Sequence, residues 1–378
     1  MKARNFFVGA VLTGAVLYCA TAFTEFPVLS EARDLWIETA MTTGDHQWLA
    51  RIFPQSVIDK VMSRQIRQVD GIAGLGAAAS DQQLNRSFFI VPKEWQDAIM
   101  EDVKRDAEAA REQEQKEKIY NYWWKSDPLK QKAAAQSGVD VTGRKVLVND
   151  EEQGVMISLV RTTMFTGRVV QICDPSRVCI VSTDQKGAQG KLICDYLSDH
   201  NAILGINASG FKDPNGNGMG GQIIGMTRSS GQDWGDLMYS STTIGFDSEN
   251  RLLAGVINNW DAYNLRDAMQ FGPVLIKDGN ILTEGSAGWG LQPRTIVAQR
   301  EDGAVLFLVV DGRKPGYSIG ATMGDCAEIL KEYGAFTAAA CDGGSSSVLA
   351  YNGEIINKPS TPMATGRYLP NAFIVKKR

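Results

Sequence analysis

Short runs of aliphatic and β-branched residues alternate with glycine-rich segments after about residue 140. Such runs predict buried strands, and the glycines between them predict tight turns. One helix is indicated over Met323–Tyr333. Thr322 and Asp325 form a capping pattern at its start, and Gly334 follows its end. The predicted strands are Val155–Val160, Arg177–Ser182, Ala202–Asn207, Arg294–Gln299, Ala304–Val310, Ala335–Cys341, Ser346–Tyr351 and Ala372–Lys376.

These elements predict the α+β class, with a mixed, largely antiparallel sheet and packed helices. Asn352-Gly353, between Tyr351 and Glu354, has the sequence of a type I′ turn, which joins antiparallel strands. The chain contains no Rossmann or P-loop glycine motif. Because residues 141–378 hold 31 of the 38 glycines, we expect this domain to begin near residue 141.

The N-terminus contains an uncharged, apolar run over Phe6–Phe23, preceded by Lys2 and Arg4. This pattern predicts a single-pass membrane anchor over residues 1–25, with the C-terminal domain outside the cytoplasm. Ala20–Ala22 also fits a signal-peptidase site, so a secreted protein with a cleaved signal peptide is the alternative. Both interpretations place the bulk of the chain outside the cytoplasm.

The segment over residues 26–140 has few glycines and many charges. Trp95, Ile99 and Val103 recur every four residues, just before the charge-dense stretch Glu101–Lys118. This spacing predicts a solvated helix with one narrow apolar stripe. We therefore interpret residues 26–140 as a helical stalk or spacer between the anchor and the domain.

Charge and histidine content exclude several function classes. A formal net charge of −4 provides no basic field of the kind that binds nucleic acid. With only His46 and His200, a serine–histidine triad or a multi-histidine metal site is nearly excluded. Catalysis would therefore rest on carboxylates, arginines and backbone groups.

The segment Asp213–Gly218 imitates the start of an EF-hand loop. The twelfth position is Ile224 rather than glutamate, which excludes a complete EF-hand. A calcium site of another kind stays open. No metal-binding residue and no other cofactor is predicted.

Two predicted core strands end in a carboxylate followed by glycine, at Asp311-Gly312 and at Asp342-Gly343. Glycine removes the Cβ that would block a ligand, and the residues over 343–347 offer backbone N–H groups and hydroxyls. The guanidinium groups that suit an anion best are Arg294, Arg313 and Arg367. This repetition indicates one shared site, although a single Asp-Gly is ordinary turn chemistry.

Seven short motifs, in order along residues 141–378, resemble those of the phosphodiester glycosidase family. That family includes the enzyme that uncovers mannose 6-phosphate by removing N-acetylglucosamine, and many bacterial cell-envelope proteins linked to exopolysaccharides. The motifs are Asp174–Arg177, Gly205–Phe211, Phe271–Pro273, Gln292–Thr295, Val310–Arg313, Asp342–Ser346 and Asn357–Ser360.

The resemblance implies a hydrolase that cleaves a sugar-1-phosphodiester of cell-envelope or exopolysaccharide glycans. The residue chemistry favours Asp342 as the carboxylate nearest the anomeric carbon, with Asp311 as its catalytic partner or as a structural orienter. A non-catalytic envelope protein that binds phosphodiester-linked or anionic glycans is the alternative. The residues expected to bind sugar or phosphate oxygens are Arg294, Arg313, Arg367, Asn207, Gly343, Gly344, Ser345 and Ser346.

Overall fold

The computed structural model of the protein describes residues 27–43, 47–64, 72–73, 138–140 and 142–378. The predicted anchor at residues 1–25 and the charged stretch Glu101–Lys118 lie outside the described residues. No helix within the described ranges is both long and apolar enough to cross a membrane. The α-helices in these ranges are α1 (Pro27–Met41), α2 (Gln55–Met62), α3 (Ile193–Asp199) and α4 (Met323–Glu332).

Strands are the main regular structure of the described chain, and the strand pairs are antiparallel. The strands are β1 (Ile72–Ala73), β2 (Val146–Asp150), β3 (Val155–Arg161), β4 (Thr166–Ile172), β5 (Val178–Ser182), β6 (Ala202–Asn207), β7 (Met226–Ser229), β8 (Gln232–Gly235), β9 (Thr243–Asp247), β10 (Leu252–Gly255), β11 (Leu265–Gln270), β12 (Val274–Lys277), β13 (Asn280–Ile281), β14 (Arg294–Arg300), β15 (Val305–Val310), β16 (Ala335–Ala340), β17 (Leu349–Tyr351), β18 (Glu354–Ile355) and β19 (Asn371–Lys376).

The strands form three sheets. An eight-stranded sheet has the order β13-β12-β16-β14-β15-β4-β3-β2, a six-stranded sheet has the order β1-β10-β9-β11-β7-β8, and a five-stranded sheet has the order β18-β17-β6-β19-β5. The predicted α+β class and the largely antiparallel sheet are therefore confirmed. Each predicted strand overlaps an observed strand, and the predicted strand Ala202–Asn207 matches β6 at both ends.

The main hydrophobic core receives side chains from all three sheets. Phe246, Phe307 and Phe373 meet there, and the ring centroids of the first two lie 6.4 and 6.2 Å from that of Phe373. Alternate residues of β15 face this core and a second core beneath α4. This two-sided burial explains why β15 is apolar at every position, as expected for a central strand.

Helix α4 covers the outer face of the eight-stranded sheet and begins with the predicted capping box. The Thr322 hydroxyl accepts a hydrogen bond from the Asp325 N–H (3.0 Å), and the Asp325 carboxylate accepts one from the Thr322 N–H (2.8 Å). Gly334 follows the helix with a φ of +78°, in the left-handed region that favours glycine. Helix α3 packs in the same way on the five-stranded sheet.

One predicted strand is wrong at its start. The sequence predicts strand from Ser346, but β17 begins at Leu349, because Gly344–Ser346 form a 3-10 turn. The predicted type I′ turn after β17 is confirmed, since Asn352 and Gly353 both have positive φ angles, 50° and 79°.

Helix α1 packs against the C-terminal part of the chain. The Leu291 N–H donates a hydrogen bond to the Thr39 hydroxyl (2.9 Å). At Gly290 an added Cβ would lie 2.3 Å from the backbone nitrogen of Thr39, so the two segments touch through their backbones. The boundary near residue 141 stays a prediction, but part of the segment interpreted as a stalk contacts the domain.

A buried ion pair joins Asp311, just after β15, to Arg168 on the neighbouring strand β4, with 2.7 Å between nitrogen and oxygen. Both side chains are at most 2% exposed. The Asp311 carboxylate also accepts hydrogen bonds from the Tyr317 hydroxyl, the Asn357 amide and the Lys358 backbone N–H. Both carboxylate oxygens are therefore occupied by groups that hold the end of the strand in place.

Replacing Asp311 by alanine is expected to lower the free energy of unfolding by about 3–5 kcal/mol, because the Arg168 guanidinium would stay buried without its counter-ion. As a matched control, Asp302→Ala removes a partly exposed carboxylate paired with Arg300 and should cost about 1 kcal/mol or less. Urea unfolding followed by circular dichroism measures both. Equal, small losses in the two variants would contradict this role of the buried pair.

Candidate active site

A cavity of about 570 Å³ lies at one end of the central strands β14, β15 and β16 of the eight-stranded sheet, where these strands meet the loops. The rings of Phe211, Phe271 and Trp289 form apolar parts of its wall. The loop Asp342–Ser346, which follows β16, forms another part. The charged side chains that line it are Asp213, Arg294, Arg313, Asp342 and Arg367.

Asp342 lines the cavity at the end of β16, and its backbone is fixed on both sides. The Asp342 N–H donates to the carbonyl oxygen of Ala208 (2.9 Å), and the Asn207 side-chain amide donates to the carbonyl oxygen of Asp342 (2.7 Å). Burial raises the pKa of the Asp342 carboxyl to about 6, although hydrogen bonds from Ser346 and Gly343 and the charge of Arg367 oppose the shift. A carboxyl with this pKa titrates near neutrality and suits proton transfer.

Asp213 is the second carboxylate of the cavity, and it is paired with Arg367. Arg367 Nη1 lies 2.6 Å from Asp213 Oδ2 and also donates to the Ser345 hydroxyl (3.0 Å). Burial disfavours ionisation of Asp213, but the hydrogen bonds from Arg367 and from the Gly218 N–H outweigh it and lower the pKa of Asp213. The two carboxyls thus shift in opposite directions within one cavity, an arrangement found where acid and base roles are divided.

Arg294 and Arg313 bring two further positive charges to the cavity. Arg294 is 5% exposed and donates through Nε and Nη2 to the carbonyl oxygens of Ala321, Trp289 and Gly290. No described residue accepts a hydrogen bond from its Nη1. Burial lowers the pKa of Arg294 to about 10, so the group is still a cation at neutral pH. Arg313 donates through Nε and Nη2 to the side-chain oxygen of Gln292, at 3.0 and 2.8 Å.

Two predicted site residues do not line the cavity. Asp311 is 1% exposed and satisfied by its buried network, which favours a structural orienter over a catalytic partner of Asp342. Asn207 is fully buried, and its side-chain oxygen accepts from the Thr295 hydroxyl and the Val348 N–H. It therefore holds the Asp342 loop rather than substrate oxygens.

The glycine–serine loop lines the cavity as predicted, but part of its backbone is already engaged. The Gly343 N–H donates to the Asp342 carboxylate (3.1 Å), and the Gly344 N–H donates to the carbonyl oxygen of Pro293 (2.9 Å). These two N–H groups are therefore not directed at a ligand. The hydroxyls of Ser345 and Ser346 bond to Arg367 and to Asp342.

Sequence reasoning missed the roles of Asp213 and Gln292. Asp213 lies in the segment that imitates an EF-hand loop, and its carboxylate is compensated by the Arg367 guanidinium. The described residues contain no group of three or more His, Cys, Asp or Glu side chains arranged to hold a metal ion. The signal for Asp213 was its position just after the Gly205–Phe211 motif.

Comparison with known proteins supports the family resemblance. Residues 200–376 match the model of the phosphodiester glycosidase family, which confirms the resemblance over that range. A curated relative, the uncharacterized SPbeta prophage-derived protein YomE of Bacillus subtilis (strain 168), is 31% identical over 168 residues. That alignment covers 42% of this chain but only 26% of YomE.

Two solved structures are similar at low sequence identity. The catalytic domain of zebrafish N-acetylglucosamine-1-phosphodiester alpha-N-acetylglucosaminidase, auto-inhibited by its pro-peptide, is 17% identical with a TM-score of 0.48, covering 59% of this chain and 82% of its own. A hypothetical protein from Synechocystis is 16% identical with a TM-score of 0.45, covering 62% of this chain and 64% of its own.

Arg367→Met should raise the pKa of both cavity carboxyls, because the arginine charge lowers each of them in the native protein. In the wild type, Asp342 is expected to titrate near 6 and Asp213 below the usual range of an aspartate. Carboxyl NMR of aspartate-labelled protein measures these values. Arg251→Met removes a partly exposed arginine that is paired with the buried Asp247 outside the cavity; it is the control and should leave them unchanged. An Asp342 pKa near 4 in the wild type would contradict this description of the site.

Proposed function

We propose that this protein is a hydrolase that cleaves a sugar-1-phosphodiester between the anomeric carbon and the phosphate oxygen. The match of residues 200–376 to the phosphodiester glycosidase family supports this reaction class. The observation that carries the proposal is the Asp342 carboxyl, which lines the same cavity as Arg294 and Arg313 and has a pKa near neutrality. The products are the free sugar and a phosphomonoester.

The two arginines bind the phosphate. Arg294 lines the cavity, and the Arg313 guanidinium is oriented by Gln292. When the bond between C1 and oxygen breaks, its electron pair passes to the phosphate oxygen, and nearby cations stabilise the charge that develops there. A phosphomonoester is a good leaving group, so the reaction has little need of a general acid.

Asp342 acts at the anomeric carbon. As a carboxylate it takes a proton from water while the water oxygen bonds to C1, or its own oxygen bonds to C1 and water later releases the sugar. The first route inverts the configuration at C1 and the second retains it. Both routes require Asp342 in its ionised form.

The remaining wall of the cavity provides contacts for the sugar. The rings of Phe211, Phe271 and Trp289 present apolar surface that suits the faces of a pyranose. We place the substrate among cell-envelope or exopolysaccharide glycans, with the domain outside the cytoplasm, because the uncharged run Phe6–Phe23 is typical of an anchor or a signal peptide.

Asp342→Asn is expected to lower kcat by roughly 100-fold or more, because it removes the charge at the reacting centre but keeps the shape of the side chain. The KM for an N-acetylglucosamine-1-phosphate diester should change little, since the phosphate ligands are intact. Asp278→Asn, on an exposed turn, is the matched control. Full activity of Asp342→Asn, or binding of the diester without hydrolysis by the wild type, would favour a glycan-binding protein instead.

The pH dependence of kcat/KM should follow the ionisation of Asp342. The rate is expected to rise about tenfold per pH unit below pH 6 and to level off above it, because protonated Asp342 cannot accept a proton or attack C1. In Arg367→Met this limb should move to higher pH. A rate that instead falls above pH 6 would assign Asp342 the role of a general acid.

A further inference from the structure

The last turn of α1 contacts the loop that precedes β14. The Thr42 hydroxyl lies 3.1 Å from the carbonyl oxygen of Trp289, and Thr42 itself lines the cavity. The Glu38 carboxyl accepts a hydrogen bond from the Gly290 N–H. The carbonyl oxygens of Trp289 and Gly290 in turn accept hydrogen bonds from Arg294 Nη2, at 2.8 and 2.7 Å. One backbone segment therefore bonds to α1 on one side and to a cavity arginine on the other.

Gln292 connects the same turn of α1 directly to Arg313. Its side-chain nitrogen lies 2.8 Å from the carbonyl oxygen of Thr39, 3.0 Å from the Thr42 hydroxyl and 3.1 Å from the Thr43 hydroxyl. Its side-chain oxygen accepts both hydrogen bonds from the Arg313 guanidinium. Gln292 is 3% exposed, so water has little access to either end of the amide.

The two ends of this amide are not interchangeable. A guanidinium only donates hydrogen bonds, so the oxygen of Gln292 must face Arg313 and the NH₂ group must face α1. The carbonyl oxygen of Thr39 and the hydroxyls of Thr42 and Thr43 surround that NH₂ group, share its two hydrogens and hold the amide in this orientation. Without them, a buried donor would be left unsatisfied, and the amide could rotate and turn its nitrogen toward the cation.

We propose that the segment Thr39–Thr43, which ends α1 and continues just beyond it, is part of the active site, where it positions Arg313 through Gln292, and Arg294 through Trp289 and Gly290, for an anionic phosphate. The phosphate as ligand rests on the proposed function, whereas the contacts themselves do not. The threonines are positioning residues, because they act on phosphate through the arginines. A segment that precedes residue 141 thus contributes to substrate affinity.

The test uses the full chain and removes the two hydroxyls that face Gln292. Thr42→Val/Thr43→Val keeps the side-chain shape, whereas Thr42→Ser/Thr43→Ser keeps the hydroxyls as the matched control. We expect the Kd for inorganic phosphate, measured by calorimetry, to rise roughly threefold to tenfold in the valine variant and to stay near the wild-type value in the serine variant. The KM for the diester should rise in parallel, with a smaller change in kcat.

A double-mutant cycle separates positioning from general stability. In the Arg313→Ala background the valine substitutions should have much less effect on the Kd for phosphate, because the group they position is gone. The same fold-change in both backgrounds, or an unchanged Kd in the valine variant, would overturn the proposal. So would a wild-type protein that does not bind phosphate.

The proposed function and this inference can fail separately. A wild-type protein that binds phosphate but hydrolyses no sugar-1-phosphodiester would refute the proposed hydrolase activity. The double-mutant cycle would still test the positioning role, because it is measured by the Kd for phosphate. If the wild type hydrolyses the diester but the valine substitutions and Arg313→Ala have additive effects on the Kd for phosphate, the proposed hydrolase is supported and the positioning role of this segment is refuted.

Discussion

The ends of three neighbouring strands meet around Pro293, and the arrangement of the candidate site depends on how closely they pack there. A Cβ added to Gly312, after β15, would lie 2.7 Å from the nitrogen of Pro293, and one added to Gly343, after β16, would lie 2.8 Å from its carbonyl oxygen. No other residue fits at either position without moving the backbone. Each of these three residues is adjacent in the chain to a charged side chain of the cavity, so close backbone packing brings the charges together.

The charged side chains of the cavity differ in the groups to which they bond. Arg367 is compensated by Asp213 and bonds to the glycine–serine loop, so it shapes the wall. Arg294 bonds to backbone carbonyl oxygens, and Arg313 bonds to the side-chain oxygen of Gln292. These contacts orient the two guanidinium groups. Asp342, with no arginine bonded to its carboxylate among the described contacts, keeps a pKa close to neutrality.

The sequence predicted the α+β class, α4, the position of Asp342 after a core strand and the strands with the clearest apolar runs, because these depend on local apolar runs and turn residues. Many of the other strands were not predicted. It could not separate Asp311 from Asp342, since both follow an apolar strand and precede glycine. Their difference arises from partners outside the local motif, such as Arg168, which lies 143 residues before Asp311 in the chain. Asp213 and Gln292 were missed for the same reason, because each gains its role from a distant arginine or threonine.

Composition located the start of the glycine-rich part of the chain, but glycine density reports turns rather than contacts. Thr42 and Gln292 are 250 residues apart in the chain, and nothing in the local pattern of either segment indicates that they touch. The glycine-rich part of the chain that begins near residue 141 therefore does not contain every residue in contact with the cavity arginines and their partners. If the segment Thr39–Thr43 sets the orientation of Arg313 through Gln292, the packing of this segment against the loop before β14 becomes a determinant of affinity in the cavity.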